Sequence, residues 1–238
     1  SGSGVAVASG MAMCATGSDT GGSIRLPAAY CGLTGFKVSK ACLPTDGIMP
    51  LSNTLDTPGP MARRVTDLAL VFAVMYGLPS VEIDEYIANG SGIFELNLEI
   101  LKGLEIGVLD ANERLVCSND VLENYDAALD LLATFGAKLE IFNAPKSYHE
   151  MADANGAITI YEGYLHHHKL YEDPDKKVDP HVRKRMLTAR DMTPQSHIER
   201  LQIRQNDQTL FALAMEGYDA LITPTIMSPA PKLTEIDE

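Results

Sequence analysis

Apolar and polar positions alternate along the chain in a way that predicts both helices and strands. Apolar residues recur on one helical face over 65–77 and over 118–137, and each segment ends at or beside a glycine. Short apolar runs at 104–110, 138–145 and 218–226 have the length of buried strands. A strand, a helix and a strand in this order favour a parallel βαβ unit.

The first part of the chain has a different pattern. Residues 4–16 are almost all small or apolar, which favours a buried helix, and the glycine- and serine-rich residues 17–23 predict a loop. Residues 32–39 predict a short strand. The proline- and glycine-rich residues 42–63 predict mostly ordered loop, and residues 79–103 show no regular pattern.

These elements together predict an α/β protein with a mixed, mostly parallel β-sheet core surrounded by α-helices. Residues 147–218 are more polar and predict a helical region within a single domain over 1–238. Thr66 is the expected N-cap of the helix predicted within residues 65–77. Because the chain opens in a buried-looking run and closes just after a buried strand, we expect this domain to be incomplete at both ends.

Composition excludes several classes of function. The formal net charge is −13, which disfavours both a nucleic-acid surface and a basic membrane-binding surface. No apolar run reaches the roughly 18 residues that a membrane-spanning helix needs. The four cysteines lack zinc-site or redox spacing and are typical of reduced thiols in a cytoplasmic protein. They are Cys14, Cys31, Cys42 and Cys117.

The chemistry is concentrated in the stretch GSDTGGSIR, residues 17–25. Gly21 and Gly22 allow a sharp bend that leaves backbone N–H groups uncovered, and such a bend forms an anion-binding concavity. Ser23 follows directly, so its hydroxyl would attack a carbonyl while these N–H groups hold the developing oxyanion. This pattern makes Ser23 a candidate nucleophile.

Other interpretations of this stretch stay open. Glycine-rich turns with serine are common in loops without function, whereas the phosphate-loop pattern is absent and Arg25 breaks the GxSxG pattern of α/β-hydrolases. A Ser-His-Asp site would need one of the histidines, all of which lie within 149–197. Asp19 is a poor base for a serine hydroxyl, and Cys31 has the apolar neighbours of an inert thiol. The residues alone indicate a nucleophile and an oxyanion hole without an evident base.

A longer match adds to this interpretation. The stretch GSDTGGSIRLPAAYCGLTGFKVS resembles the core of the amidase signature family, and the flanking SGSGVAVASGM and DGIMPLSNTLDTPGPMARRVTDLALV are similar to the same family in order and spacing. The resemblance is strong over 1–77, collinear through 104–145, and returns at 218–225. It implies amide hydrolysis through a Ser–cis-Ser–Lys triad, without a metal or organic cofactor.

The resemblance also implies roles for particular residues. Ser23 would be the acyl-forming nucleophile. The oxyanion hole would consist of four backbone N–H groups, those of Thr20, Gly21, Gly22 and Ser23. Three polar residues would shape the loop through hydrogen bonds, namely Ser18, Asp19 and Arg25. Histidines 166–168 are consecutive, so on a helix they cannot all face one ion. This agrees with the expectation that the protein binds no metal.

Two parts of the family pattern are missing. In the family the bridging cis-serine lies in a glycine- and serine-rich run, and by register it would fall about two residues before Ser1, with the catalytic lysine further upstream. Ser1 and Ser3 resemble only the tail of that run. The family's closing strands, expected after the LITPT segment, are missing too. We therefore expect the base to belong to sequence outside this chain.

Three functions follow as alternatives. The first is an amidase that acts on a small-molecule amide, favoured because DPHVRKRMLTARDMTPQSHIERL resembles stand-alone amidases. The second is the A subunit of a glutamyl-tRNA(Gln) or aspartyl-tRNA(Asn) amidotransferase. The third is a truncated, inactive remnant. No direct nucleic-acid or membrane partner is expected, and a homodimer stays open.

Overall fold

The computed structural model describes residues 2–88 and 98–236. Its strands in this part of the chain form two sheets of three strands each. In chain order these strands are β1 Cys14–Ser18, β2 Thr34–Gly35, β3 Pro58–Ala62, β4 Glu105–Val108, β5 Lys138–Ile141 and β6 Ala220–Leu221. The first sheet has the order β1-β3-β2 and is antiparallel, and the second has the order β5-β4-β6 and is parallel.

Helices make up most of the remaining regular structure. They are α1 Gly2–Ala8, α2 Arg25–Tyr30, α3 Val65–Tyr76, α4 Ser80–Ala88, α5 Ala111–Arg114, α6 Asn119–Thr134, α7 Tyr148–Glu172, α8 Pro180–Leu187 and α9 Pro194–Ala214, with 3₁₀ turns at Leu98–Leu101 and Leu233–Glu235. The predicted α/β class is confirmed. Within the described residues, no helix combines the length and apolar character that crossing a bilayer requires.

The predicted βαβ unit is present in the parallel sheet. Strands β4 and β5 pair in parallel from Glu105 opposite Lys138 onward, and helix α6 connects them. Beyond α6 the backbone turns at Gly136, whose φ of 88° lies in the left-handed region that favours glycine. Ser118 occupies the N-cap position of α6, although its side chain makes no capping hydrogen bond.

Strand β3 corrects the prediction that residues 42–63 are mostly loop. It lies between β1 and β2, and all five of its residues are buried. Its sequence, Pro-Gly-Pro-Met-Ala, carries the residues that normally interrupt strands, which is why the pattern predicted a loop. Gly59 is required there because an added Cβ would lie 2.1 Å from the carbonyl oxygen of Phe36.

Three other boundaries differ from prediction. The apolar run 4–16 is not one helix, because α1 ends at Ala8 and β1 begins at Cys14. Helix α3 has Arg64 and not Thr66 at its N-cap, while Gly77 ends it in a left-handed conformation as the pattern indicated. The segment predicted to be irregular contains α4 and a 3₁₀ turn, and its residues 89–97 lie outside the described part of the chain.

The region 147–218 contains α7, α8 and α9. Ser147 begins α7 with a capping box, in which its hydroxyl accepts from the Glu150 N–H and the Glu150 carboxylate accepts from the Ser147 N–H. Helix α7 is interrupted at His167, where φ is −129° and ψ is 18°. Helices α8 and α9 both pack against α7.

Candidate active site

The serine loop, residues 18–24, runs from the end of β1 to the start of α2. Its sharpest bend is at Gly22, whose φ of 119° is a conformation that side chains rarely adopt. A Cβ at this position would also lie 2.8 Å from Leu26 Cδ1. The Leu26 N–H donates to the Gly22 carbonyl at 2.7 Å and so leads the chain into the helix. The glycine-rich sequence therefore produces the tight loop that its composition predicted.

Asp19 lies fully buried under this loop and holds it together. Its Oδ1 accepts from the Gly22 N–H at 2.7 Å and from Arg25 Nη2 at 3.0 Å. Its Oδ2 accepts from Arg25 Nε at 3.0 Å and from the Ile24 N–H at 3.3 Å. The predicted supporting residues Asp19 and Arg25 thus form a bidentate ion pair at the loop's base.

The ionised form of Asp19 is favoured at this position. Burial by itself would raise the pKa of the carboxyl group, because a buried charge loses its hydration. The hydrogen bonds and positive charge of Arg25, with the Gly22 and Arg25 N–H groups, outweigh burial and lower the pKa below its ordinary value. Asp19 therefore acts as a charged anchor and not as a proton acceptor at neutral pH.

Two contacts attach the serine loop to the segment before β3. The Asp19 N–H donates to the Thr57 carbonyl at 2.8 Å. The Thr20 hydroxyl donates to Asp56 Oδ1 at 2.5 Å. Asp56 and Thr57 were not among the residues predicted from the sequence. In the sequence they appear only as two adjacent polar residues in the proline- and glycine-rich stretch. In the structure both are buried.

Ser23 stands at the exposed side of the loop. Within residues 2–88 and 98–236, its hydroxyl has no hydrogen-bond partner, and the N–H groups of Thr20, Gly21 and Ser23 have no acceptor. The Gly22 N–H, predicted as a fourth oxyanion donor, instead donates to Asp19. The site therefore presents one hydroxyl beside backbone donors that are available to a ligand.

Ser18 has a different position from the other predicted supporting residues. It is the last residue of β1 and pairs with Pro58 of β3. In the described part of the chain its hydroxyl makes no hydrogen bond. It lines a cavity of about 400 Å³ together with mainly apolar side chains, among them Leu43, Ile48 and Met75.

A second cavity, of about 230 Å³, lies beside Arg25. Thr34 of β2 and Thr225, which follows β6, contribute to its lining. The cavity therefore brings the last part of the chain next to the serine loop. Thr225 was part of the family resemblance but was not predicted as a site residue.

Lys37 is a further cation near the loop that the sequence did not single out. It is half-buried, and its ammonium group donates to the Val38 carbonyl at 3.0 Å. Burial and then the positive charge of Arg25 lower the pKa of Lys37 below its ordinary value, although Asp19 acts in the opposite direction. A lysine in this environment releases its proton more readily than an exposed one.

Comparison with known proteins identifies relatives of this chain. The A subunit of the mitochondrial glutamyl-tRNA(Gln) amidotransferase from Aedes aegypti is 30% identical, with 98% of this chain and 52% of that protein covered. A 2-amino-5-chloromuconic acid deaminase from Comamonas testosteroni is 29% identical, with 99% and 49% covered. The chain thus spans about half the length of these curated relatives.

Solved structures agree with the sequence relatives. An amidase crystal structure has a TM-score of 0.81 at 27% identity, with 98% of this chain and 49% of that chain covered. The A subunit of the glutamyl-tRNA(Gln) amidotransferase from Thermotoga maritima has a TM-score of 0.75 at 26% identity, with 100% and 52% covered. The Amidase family model matches residues 1–238. The chain therefore belongs to the amidase signature family.

Proposed function

We propose that this chain carries the nucleophile and the oxyanion hole of an enzyme that hydrolyses a small-molecule carboxylic amide to an acid and ammonia or an amine. The observation that supports this most is the exposed Ser23 hydroxyl beside the available N–H groups of Thr20, Gly21 and Ser23. Asp19 and Arg25 hold this arrangement from below, so its donors are fixed before a substrate arrives.

In the proposed reaction, Ser23 Oγ bonds to the carbonyl carbon and its proton leaves for a base. The carbonyl oxygen becomes an oxyanion that accepts from the Thr20, Gly21 and Ser23 N–H groups. The C–N bond then breaks, the nitrogen takes a proton and departs, and an acyl ester remains on Ser23. Water hydrolyses this ester. Gly22 is omitted from the donors because its N–H is already bonded to Asp19.

The described residues place no base in contact with Ser23. No described group accepts a hydrogen bond from its hydroxyl. We assign the proton transfer to a cis-serine and a lysine, as in the triad that the family resemblance implies. Without such a base, acylation would be slower by about 10²–10⁴-fold.

Two alternatives have specific observations in their favour. The amidotransferase function is favoured by relatives and a solved structure that bear that name. An inactive remnant is favoured by the lack of a described partner for Ser23 Oγ. Because an amidotransferase relative and a deaminase relative are 30% and 29% identical, sequence identity does not separate the reactions.

Release of ammonia from simple amides tests the proposal. It should be measured for the whole protein in which this chain occurs and for its Ser23→Ala variant. We expect the protein to release ammonia and its Ser23→Ala variant to lose at least about 10³-fold in rate. Release only in the presence of partner proteins would favour the amidotransferase, and an unchanged rate in Ser23→Ala would exclude the proposed nucleophile.

A further inference from the structure

The buried carboxylate of Glu162 attaches helix α7 to residues 50–57, which we call the 50–57 segment. Glu162 Oε2 accepts from Ser52 Oγ at 2.5 Å and from the Thr54 N–H at 3.0 Å, and Oε1 accepts from Thr54 Oγ1 at 2.6 Å. Glu162 is 8% exposed and Ser52 is fully buried. Because these residues lie 108–110 positions apart in the chain, the contact ties two distant parts of the fold together.

Two neighbouring positions of α7 hold the same segment. Gly163 lies so close to Leu51 that an added Cβ would be 2.8 Å from its Cδ1. The His167 ring donates from Nε2 to the Pro50 carbonyl at 2.7 Å. The interruption of α7 at His167 therefore coincides with a hydrogen bond to the 50–57 segment.

The other end of the segment reaches the serine loop. Asp56 Oδ2 accepts from the N–H groups of Leu51 and Ser52, at 2.8 and 3.0 Å, and its Oδ1 accepts from the Thr20 hydroxyl. Ser52 thus uses its side chain for Glu162 and its backbone for Asp56. A continuous chain of hydrogen bonds runs from Glu162 through Ser52 and Asp56 to Thr20.

Helix α9 adds a contact at the far end of this chain. His197 Nε2 lies 3.2 Å from Glu162 Oε1, and the His197 ring stacks on Tyr161 at 4.4 Å between centroids. Burial would raise the pKa of Glu162, but hydrogen bonds from Ser52 and Thr54 and the charge of His197 lower it below its ordinary value. A carboxylate with satisfied hydrogen bonds in a buried site holds its partners in one geometry.

We propose that Glu162 is a positioning residue for the serine loop. By fixing Ser52, it sets the orientation of the Asp56 carboxylate, and Asp56 in turn fixes Thr20, whose N–H belongs to the proposed oxyanion hole. The consequence for catalysis rests on the proposed function. The mechanical coupling does not, because it is a property of the hydrogen bonds alone.

Amide hydrogen exchange in the 238-residue chain tests the coupling without any turnover. The Asp19 and Gly22 amides are hydrogen-bonded and report on the loop, whereas a β4 amide such as Ile106 reports on global opening. In Glu162→Gln we expect the Asp19 and Gly22 amides to exchange at least about tenfold faster, with Ile106 unchanged. Glu172→Gln, which alters an exposed carboxylate of the same helix, is the matched control and should change neither.

A double-mutant cycle separates positioning from general loosening. Thr20→Val removes the hydroxyl that bonds Asp56, so the added effect of Glu162→Gln on Gly22 exchange should fall to within about twofold. Thr20→Ser keeps a hydroxyl and should restore the full effect. If Glu162→Gln also accelerates Ile106, Ser52→Ala replaces it as the first variant, since it removes the hydroxyl that bonds Glu162 and leaves the carboxylate in place.

The proposal is overturned if the Ser52 and Thr54 amides loosen while Asp19 and Gly22 keep their exchange rates. It is also overturned if Glu162→Gln has the same effect in the Thr20→Val background. A protein that fails to hydrolyse amides would refute the proposed function but leave both of these outcomes readable, so the two proposals fail separately.

Discussion

At the scale of single residues, the buried carboxylate of Asp19 determines the shape of the serine loop. It accepts hydrogen bonds from Gly22, Ile24 and Arg25, and the last of these also supplies its counter-charge. Because Arg25 keeps 47% of its side chain exposed, solvent screens part of the attraction. The hydrogen bonds to the fully buried carboxylate are therefore the larger contribution to the stability of this loop.

We expect Asp19→Asn to lower the free energy of unfolding by about 2 kcal/mol at neutral pH, because an amide cannot accept all of these bonds. The pKa of Asp19 is lower in the folded chain than its ordinary value of about 3.9. The carboxylate's contribution is therefore complete above that value and is lost as pH falls through the folded pKa. Denaturant unfolding at neutral pH and at a pH of about 2–3 should show the difference between the proteins shrinking in acid.

Asp46→Asn, which alters an exposed aspartate of the proline- and glycine-rich stretch 42–63, serves as the control and should change the free energy of unfolding by less than about 0.5 kcal/mol. An Asp19→Asn protein as stable as the native chain at neutral pH, with the same acid dependence, would show that the carboxylate does not anchor the loop.

At the residue scale, the sequence pattern is informative where the chemistry is local, because adjacent glycines account for the bend at Gly22. The hydrogen-bonding roles expected of Asp19 and Arg25 came from the family resemblance and not from the pattern, although the pair spans only six positions. Asp56 was missed because its partner Thr20 lies 36 positions away, and nothing in the local pattern joins them. The roles assigned to Ser23 and to the backbone donors remain predictions.

At the scale of elements, Tyr125 links helix α6 to the parallel sheet. Its buried hydroxyl accepts from the Leu109 N–H at 3.0 Å and donates to the Ile222 carbonyl at 3.0 Å. Leu109 directly follows β4, and Ile222 directly follows β6. One hydroxyl thus provides a hydrogen-bond partner for a backbone N–H and a backbone carbonyl at the ends of two neighbouring strands.

We expect Tyr125→Phe to lower the free energy of unfolding by about 1–3 kcal/mol, because it leaves a buried N–H and a carbonyl without partners. Chemical denaturation followed by circular dichroism measures this loss. Tyr76→Phe is the matched control, since the Tyr76 side chain is 56% exposed and its stability should change by less than about 0.5 kcal/mol. Equal stability of the two variants would contradict a bridging role for the Tyr125 hydroxyl.

Elements with a clear period were predictable, and those that depend on their neighbours were not. Helices α3 and α6 carry an apolar face and end beside glycines, and both were identified. Strand β3 has no alternation, because all five of its residues are buried, and it pairs along its two edges with β1 and β2. Its glycine fits a position where an added Cβ would meet the Phe36 carbonyl. Pairing of this kind is set by tertiary packing and leaves no periodic signal.

At the scale of the whole molecule, distant parts of the chain meet around the serine loop. Helix α7 reaches it through Glu162 and the 50–57 segment, and Thr225 lies beside Arg25 in a shared cavity. The predicted α/β class followed from element order, but this convergence did not, because it depends on contacts between residues over a hundred positions apart. The surroundings of Ser23 are therefore a property of the assembled fold.

The central claim is that Ser23 becomes acylated. The whole protein in which this chain occurs and its Ser23→Ala variant should be incubated with a slowly deacylating amide or ester and analysed by intact and peptide mass spectrometry. We expect one acyl adduct, on the peptide that contains Ser23, and none in Ser23→Ala. An adduct on another residue, or an equal burst of product from Ser23→Ala, would contradict the account.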